Sequence, residues 1–567
     1  MTRVMQAGTT RIGRRALVGL RRGATAGALL FLADVAGLSA ARYPLLDVSL
    51  GTLALCLAAA LASITAMTFV GILLALTWPR CWHISACRHR WAMALLVATT
   101  GTIAYGARRD RAIEPLEPRP TLSATRPVPV LWVVIDTLRA DTLYGPALTL
   151  PLAPQLRRFA ESALLFRDAE SAAGWTVPSV ATLLTGVQPS AHQARGYLPT
   201  WAPTFAEHVH RAGYATHAVI DNGLLEPRTG YVRGFETFFQ KSSMRFAHAL
   251  PGFRLLGSWV RRKLRERWPS YYGAERLTDA ALAQLTASTD APPFLYVHYM
   301  DPHYPYYAHP ELGPDPAGLV PVSLPQATLR RQGGVLHPEQ LAFLRHRYER
   351  ELAYLDGHLG RLLDEWQRRF GDESIVLVTA DHGEEFLEHG WLGHVRNLHT
   401  ELVRIPLLLR LPASIGVQQA GRVVDAPVNQ VDLVPTMLEV LGVAPSPQTL
   451  APHGRSWLAW LRGTEPAPTR PLLAWQDYMG VQLTRWREGP WVLIERLDNT
   501  TGKASATLFD KREDDAELHD LAGRAPERRA SMAARAHAVF AEQAALSRLP
   551  NHAQSDDEAL RALGYIR

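Results

Sequence analysis

No cysteine occurs after position 87 of this 567-residue chain; Cys56, Cys81 and Cys87 are the full set. Their absence from the rest excludes a disulfide framework for the larger part of the protein. It also excludes a cysteine nucleophile or a cysteine metal site there. Lysine is missing from residues 1–111, whose basic residues are all arginine. Thirteen Arg against three Asp give that segment a net +10 in a chain of +7 overall, so residues 112–567 sum to −3. The basic excess lies beside apolar runs, so it reads as membrane topology rather than a nucleic-acid footprint. No internal repeat is evident.

Residues 51–78 carry no charge at all, and about 20 apolar residues suffice to cross a hydrocarbon core. Residues 23–41, interrupted only by Asp34, and 91–107 are weaker spans, so residues 1–111 read as a segment with three transmembrane helices. Arg3, Arg11, Arg14, Arg15, Arg21 and Arg22 precede the first span; Arg80, Arg88 and Arg90 lie between the second and third. Arginine marks the cytoplasmic side. A multi-pass membrane protein follows, with everything past the third span outside the cytoplasm (periplasmic in a bacterium). Arg108, Arg109 and Arg111 run against that orientation.

Residues 112–128 are rich in Pro, Arg and Thr and read as a linker. From 129 to 470 short β-branched runs alternate with helical stretches, the pattern of an α/β domain with chemistry at strand C-terminal ends. Val130–Ile135 ends at Asp136, 374–379 leads to Asp381-His382-Gly383, 294–297 runs into His298, Asp301 and His303, and 405–411 is a fourth such strand. All four read as buried parallel strands. Helices are expected at 154–163, 204–212, 346–370 and 432–441, the last capped by Asp432. Residues 471–567 read as a small C-terminal subdomain, with strands at 491–494 and 507–509 and a helix over 524–543.

Four distant elements point to one site. Asp136 ends a strand; Gly174-Trp175-Thr176-Val177-Pro178-Ser179 opens an apolar helix; Asp381 and His382 end another strand; and His298, His303, His389, His394 and His399 gather around them. Two carboxylates and an imidazole suit a hard or borderline divalent cation such as Ca, Mn or Zn. Thr176 lies two residues before Pro178, a residue suited to a first helical turn, where unpaired N–H groups and the helix dipole favour an oxyanion. A plainer reading makes Thr176 an N-cap residue.

These residues carry a resemblance. VLWVVIDTLRADTL resembles the opening of the sulfatase domain in the alkaline phosphatase superfamily, and GWTVPSVATLLTG resembles its nucleophile motif. HYMDPHYPY, ELAYLDGHLGRLL, VLVTADHGEEFLEHG, HTELVRIPLLL and NQVDLVPTMLEVLGV are similar to further blocks in the same order. LFDKREDDAELHDLA and ALRALGYI resemble the C-terminal part. The resemblance implies a mixed sheet flanked by helices, with a small C-terminal α+β subdomain. It implies Asp136, Asp381 and His382 as ligands of one divalent metal ion, with Thr176 as a nucleophile touching the metal. His303 and His394 match substrate-binding or leaving-group positions; His298 is a further substrate-binding candidate, with a plainly structural role as its alternative. In the family's usual C/S-x-P-S-R motif a Cys or Ser matures to formylglycine. Thr176 and Val180 stand in place of that Cys and Arg, so formylglycine is not expected. Thr137 stands where many members have a second Asp. Threonine nucleophiles are similar to those of membrane-anchored phosphoethanolamine and phosphoglycerol transferases.

Three functions are therefore consistent with the sequence: a hydrolase of sulfate or phosphate esters, a phosphotransferase acting on an envelope lipid or glycan, and a non-catalytic metal-binding pseudoenzyme. The partners implied are an ester substrate and the membrane, with no nucleic acid.

Overall fold

A computed structural model describes residues 116–144, 151–240, 273–286, 290–322, 336–445 and 453–545. The three spans read at 1–111 lie outside the described residues, as does the ALRALGYI block. Among the described residues no helix is long and apolar enough to cross a membrane.

The strands of the main sheet are β1 (Val130–Ile135), β2 (Leu164–Glu170), β3 (Ala215–Ile220), β4 (Thr237–Gln240), β5 (Pro293–Tyr299) and β6 (Ile375–Ala380). After the two-stranded ribbon β7 (Glu385–Phe386) and β8 (Leu392–Gly393) come β9 (Arg404–Arg410), β10 (Val423–Val424) and β11 (Val428–Asn429). They line up as β10-β2-β9-β6-β1-β5-β3-β4, with β11 also on β2. β1, β3, β4, β5 and β6 run parallel, whereas β9 is antiparallel to both β6 and β2. The 405–411 run was expected to be parallel. It corrects to antiparallel because an apolar run records burial on both faces, not direction.

Every side chain of β1 is buried. Trp132 packs on Phe205 with ring centroids 5.3 Å apart, and Phe205 meets Phe294 edge-on at 4.9 Å. Each such fully buried apolar side chain contributes about 1.5–3 kcal/mol of transfer free energy.

The helices that matter for the site are α1 (Pro154–Ala160), α2 (Thr176–Thr185), α3 (Phe205–Arg211), α4 (Ala274–Thr286), α5 (Pro338–Phe370) and α6 (Leu433–Leu441). All ten residues of α2 are buried, and Gly186 ends it at φ 67°. That left-handed turn suits glycine because a Cβ would clash there. Thr204 caps α3 reciprocally with Glu207, as a Thr-x-x-Glu spacing allows. Asp432 does not cap α6 through its side chain. It accepts instead from the Arg455 amide at 2.7 Å and from the Arg470 guanidinium, because a buried carboxylate prefers a charged donor.

Beyond 470, β12 (Leu472–Tyr478), β13 (Val481–Glu488), β14 (Trp491–Asp498) and β15 (Lys503–Asp510) form an antiparallel meander. The helix α7 (Pro526–Ala545) packs Met532, Ala536 and Phe540 onto its Trp475, Trp486 and Leu508 face. Arg485, fully buried on β13, reaches Glu517 at 2.7 Å and Glu170 of β2 at 3.2 Å. The described residues fall within one compact unit.

Candidate active site and metal centre

The site follows from register. Ile135 on β1 pairs with Ala380 on β6 and with Tyr299 on β5. The residues that follow, Asp136 and Asp381, therefore leave the sheet side by side at its C-terminal edge. Ile220 on β3 pairs with His298 on β5, which brings the chain after β3 to the same edge. α2 points its N-terminus at them. Trp175, not Thr176, is the N-cap, and its extended φ and ψ make no side-chain cap. The capping alternative for Thr176 is thereby corrected: Thr176 is the first helical residue. Its hydroxyl lies 3.5 Å from Asp136 Oδ2 and 3.4 Å from His382 Nε2.

Asp136, Asp381, His382 and Thr176 are all fully buried. The donor atoms of Asp136, Asp381 and His382 lie within 4.8 Å of one another. Asp381 Oδ1 accepts from the Thr137 amide at 3.2 Å and the His382 amide at 2.8 Å. Asp381 Oδ2 and Asp136 Oδ1 have no hydrogen-bond partner. Two orphaned, buried carboxylate oxygens facing one imidazole are costly unless a cation neutralises them. The residues therefore fit a divalent ion, which Asp136, Asp381, His382 and the Thr176 hydroxyl would hold. Titration behaviour agrees. Burial raises both carboxyls, but in Asp136 the His298 hydrogen bond and the nearby His303 and His382 outweigh it and hold that carboxyl below its usual range. Asp381, buried beside the charge of Asp136, is pushed up.

Around this centre His298 is fully buried, with Nε2 3.3 Å from Asp136 Oδ2 and Nδ1 3.1 Å from the Tyr296 hydroxyl. It steadies the carboxylate of a candidate ligand. His394 and His303 form a row with His382, ring centroids 4.6 Å and 5.2 Å apart in turn. Glu384 Oε1 lies 2.8 Å from His394 Nδ1, so a proton given to a leaving group departs from Nε2. His303 Nδ1 faces the Tyr304 carbonyl at 2.5 Å. His389 and His399 stack on each other at 3.6 Å and pair with Glu401 and Glu517, not with this row. The Thr137 hydroxyl turns back to its neighbour's carbonyl at 2.7 Å.

Sequence reasoning missed Asn222, whose amide donates to Asp136 Oδ2 at 2.7 Å. The signal was there, since ATHAVI is another apolar run ending in polar residues, Asp221 and Asn222. Glu384, which orients His394, and Ser179, which donates to the Asp381 carbonyl at 2.5 Å, were also given no role.

Residues 129–443 match the Sulfatase family, and residues 387–539 match the family described as N-sulphoglucosamine sulphohydrolase, C-terminal. The chain belongs to the sulfatase family. Members of this family of ester hydrolases use a divalent metal ion. Among relatives of this sulfatase-family chain is the choline-sulfatase of Rhizobium meliloti (strain 1021). It is 26% identical over 449 residues, covering 69% of this chain and 82% of that one. The multifunctional alkaline phosphatase superfamily protein PehA of Trinickia caryophylli is 27% identical over 229 residues, 35% of this chain and 43% of that one. The phosphonate monoester hydrolase SpPMH from Silicibacter pomeroyi shares the fold. Its TM-score is 0.57 at 24% identity, covering 73% of this chain and 95% of that one.

Proposed function

We propose that this sulfatase-family enzyme is a metal-dependent hydrolase of phosphate or sulfate esters that uses Thr176 as its nucleophile. The observation that carries the reading is the Thr176 hydroxyl, poised at a helix N-terminus between Asp136 and His382. A bound divalent ion would lower the pKa of that hydroxyl and neutralise charge on the ester oxygens. Thr176 Oγ attacks phosphorus and releases its proton to water. The phosphorus–oxygen bond to the leaving alcohol breaks, and His394 Nε2 protonates that oxygen. Water then attacks the phosphothreonine and gives a proton to His394; the phosphorus–Oγ bond breaks, phosphate departs, and Thr176 Oγ takes back a proton from water. A threonine sulfate would lack the elimination route that an aldehyde hydrate provides, so phosphorus esters are favoured over sulfate esters.

The apolar N-terminal segment, with its +10 charge, supports a membrane-anchored enzyme whose catalytic part faces outward onto envelope lipids or glycans. The same feature favours a second reading, a transferase that passes the phosphoryl-bearing group from Thr176 to an acceptor alcohol instead of water.

The test uses the full chain supplied with Mn²⁺ and offered aryl phosphate and aryl sulfate. Acid-quenched samples should contain phosphorylated Thr176 by peptide mass spectrometry, and Thr176→Ala should lose turnover. Turnover retained by that variant overturns the proposal. Release of free phosphate marks the hydrolase, and a modified acceptor lipid marks the transferase.

A further inference from the structure

The HYMDPHYPY segment leaves β5 towards the active site with His303. It also carries a second set of donors on its other side. Asp301 is 1% exposed, and among the described residues no N–H or O–H group donates to either of its carboxylate oxygens within hydrogen-bonding geometry. Facing it is Glu351, fully buried on α5, and His309, whose Nε2 lies 2.8 Å from Glu351 Oε2. One donor atom from each of the three falls within 4.8 Å of the others.

We infer that Asp301, His309 and Glu351 form a second divalent-cation site of the zinc class, separate from the Thr176 centre. The chemistry is that of a mixed nitrogen and oxygen donor set. Zinc ligands sit about 2.0–2.2 Å from the ion, so the three donors, now within 4.8 Å of one another, would draw together around it by side-chain rotation. Two buried carboxylates approach each other favourably only around a cation or a shared proton. Among the described residues no guanidinium pairs with Asp301 or Glu351. Arg350, the residue before Glu351, spends its donors on the carbonyl oxygens of Ala308, His309, Leu312 and Gly313. Burial, and next the charge of Glu351, push the Asp301 carboxyl well above the usual range. The imidazole is held ready, stacked on Tyr354 with centroids 4.0 Å apart and its Nδ1 3.2 Å from Glu311 Oε1. A carboxylate on the far nitrogen is the usual support of a ligating histidine. A cation here would fasten the segment that bears His303 to α5.

The experiment separates this site from the catalytic one. The full chain, stripped by chelator, is loaded with Zn²⁺ alone and its metal content counted by mass spectrometry alongside a thermal melt. In an Asp381→Asn background, which breaks the Thr176 centre, one equivalent should remain and Zn²⁺ should still raise the melting midpoint. Adding His309→Ala should remove that equivalent and the rise, weakening Zn²⁺ by more than the 10–100-fold typical of losing only a supporting partner. Glu351→Gln should do the same, and serves if the first variant folds poorly. No zinc in the Asp381→Asn chain overturns the inference, as does zinc content unchanged by His309→Ala and Glu351→Gln. Loss of turnover in Thr176→Ala leaves this count untouched, so the two proposals fail independently.

Discussion

Asp136 is asked to do two jobs at once, and its two oxygens divide them. Oδ1 is left bare for a cation, while Oδ2 is surrounded by Asn222, His298 and the Thr176 hydroxyl. Asn222 therefore acts on the metal through a neighbour. Partners that orient a ligand are typically worth 10–100-fold in metal affinity, so Asn222→Ala should weaken Mn²⁺ or Zn²⁺ binding by about 10–100-fold. Isothermal titration of metal into the stripped chain would measure it. His394, by contrast, should tell in the chemistry. His394→Ala should lower kcat by about 10²–10⁴-fold, the usual share of a positioned acid. The loss should be smaller for esters with acidic leaving alcohols, which need no proton. A uniform loss across leaving groups would rule out the acid role.

At the scale of elements, Gly383 shows why the Asp-His-Gly sequence needs its third residue. A Cβ there would sit 2.0 Å from the Glu401 carbonyl oxygen, and the Gly383 amide donates to Leu402 at 2.8 Å. The chain leaving β6 thus lies backbone to backbone against the segment that leads into β9. Gly383→Ala should destabilise the fold by about 1–3 kcal/mol, the usual cost of overpacking, read from denaturant midpoints. This close approach also marks the limit of what the sequence could say. β1, β5 and β6 were legible because each is a short apolar run stopping at Asp or His, and those stops supplied the candidate ligands Asp136, Asp381 and His382 together with the neighbouring His298. β3 ends in the same way, yet its Asp-Asn pair is ordinary turn chemistry until Ile220 is seen beside His298. α5 begins at Pro338, eight residues ahead of the expected start at 346, because Phe343 and Leu344 bury against Phe386 and Leu392 of the β7–β8 ribbon. That contact is tertiary and leaves no local mark. β13 went unread because Thr, Trp and Arg crowd together there, with Arg485 and Arg487 pointing inward, against the expectation that arginine faces water.

Those inward arginines join the C-terminal meander to the main sheet. Arg485 pairs with Glu170 and Glu517, and Arg487 pairs with Glu170 at 2.7 Å and with Asp168. Removing one partner from such a buried cluster typically costs about 3–5 kcal/mol, so Arg485→Met should lower stability by that much in thermal or urea melts. Burial alone would raise the Glu170 carboxyl, but Arg485 and Arg487 hold it down at about 2, against 4.5 in a free side chain. Burial likewise opposes, and Arg485 again outweighs it, in Glu517, which is also lowered. A depressed folded value means that this stabilisation is complete above about pH 4.5 and is lost as pH falls towards 2. Melting midpoints should drop across that window, and the slope should flatten in Glu170→Gln.

Gln476 of β12 reaches still further. Its Oε1 accepts from the Gly174 amide at 2.9 Å, and its Nε2 donates to the Val395 carbonyl at 3.0 Å. One side chain near the end of the polypeptide thus ties the turn before Thr176 to the residue after His394. A ribosome would have released Thr176, the candidate ligands and His394 before this clasp emerged. Nascent protein would lack this alignment until the last sixth of these 567 residues was being made, and a chain ending at residue 470 should keep the candidate site's side chains while losing the clasp between them.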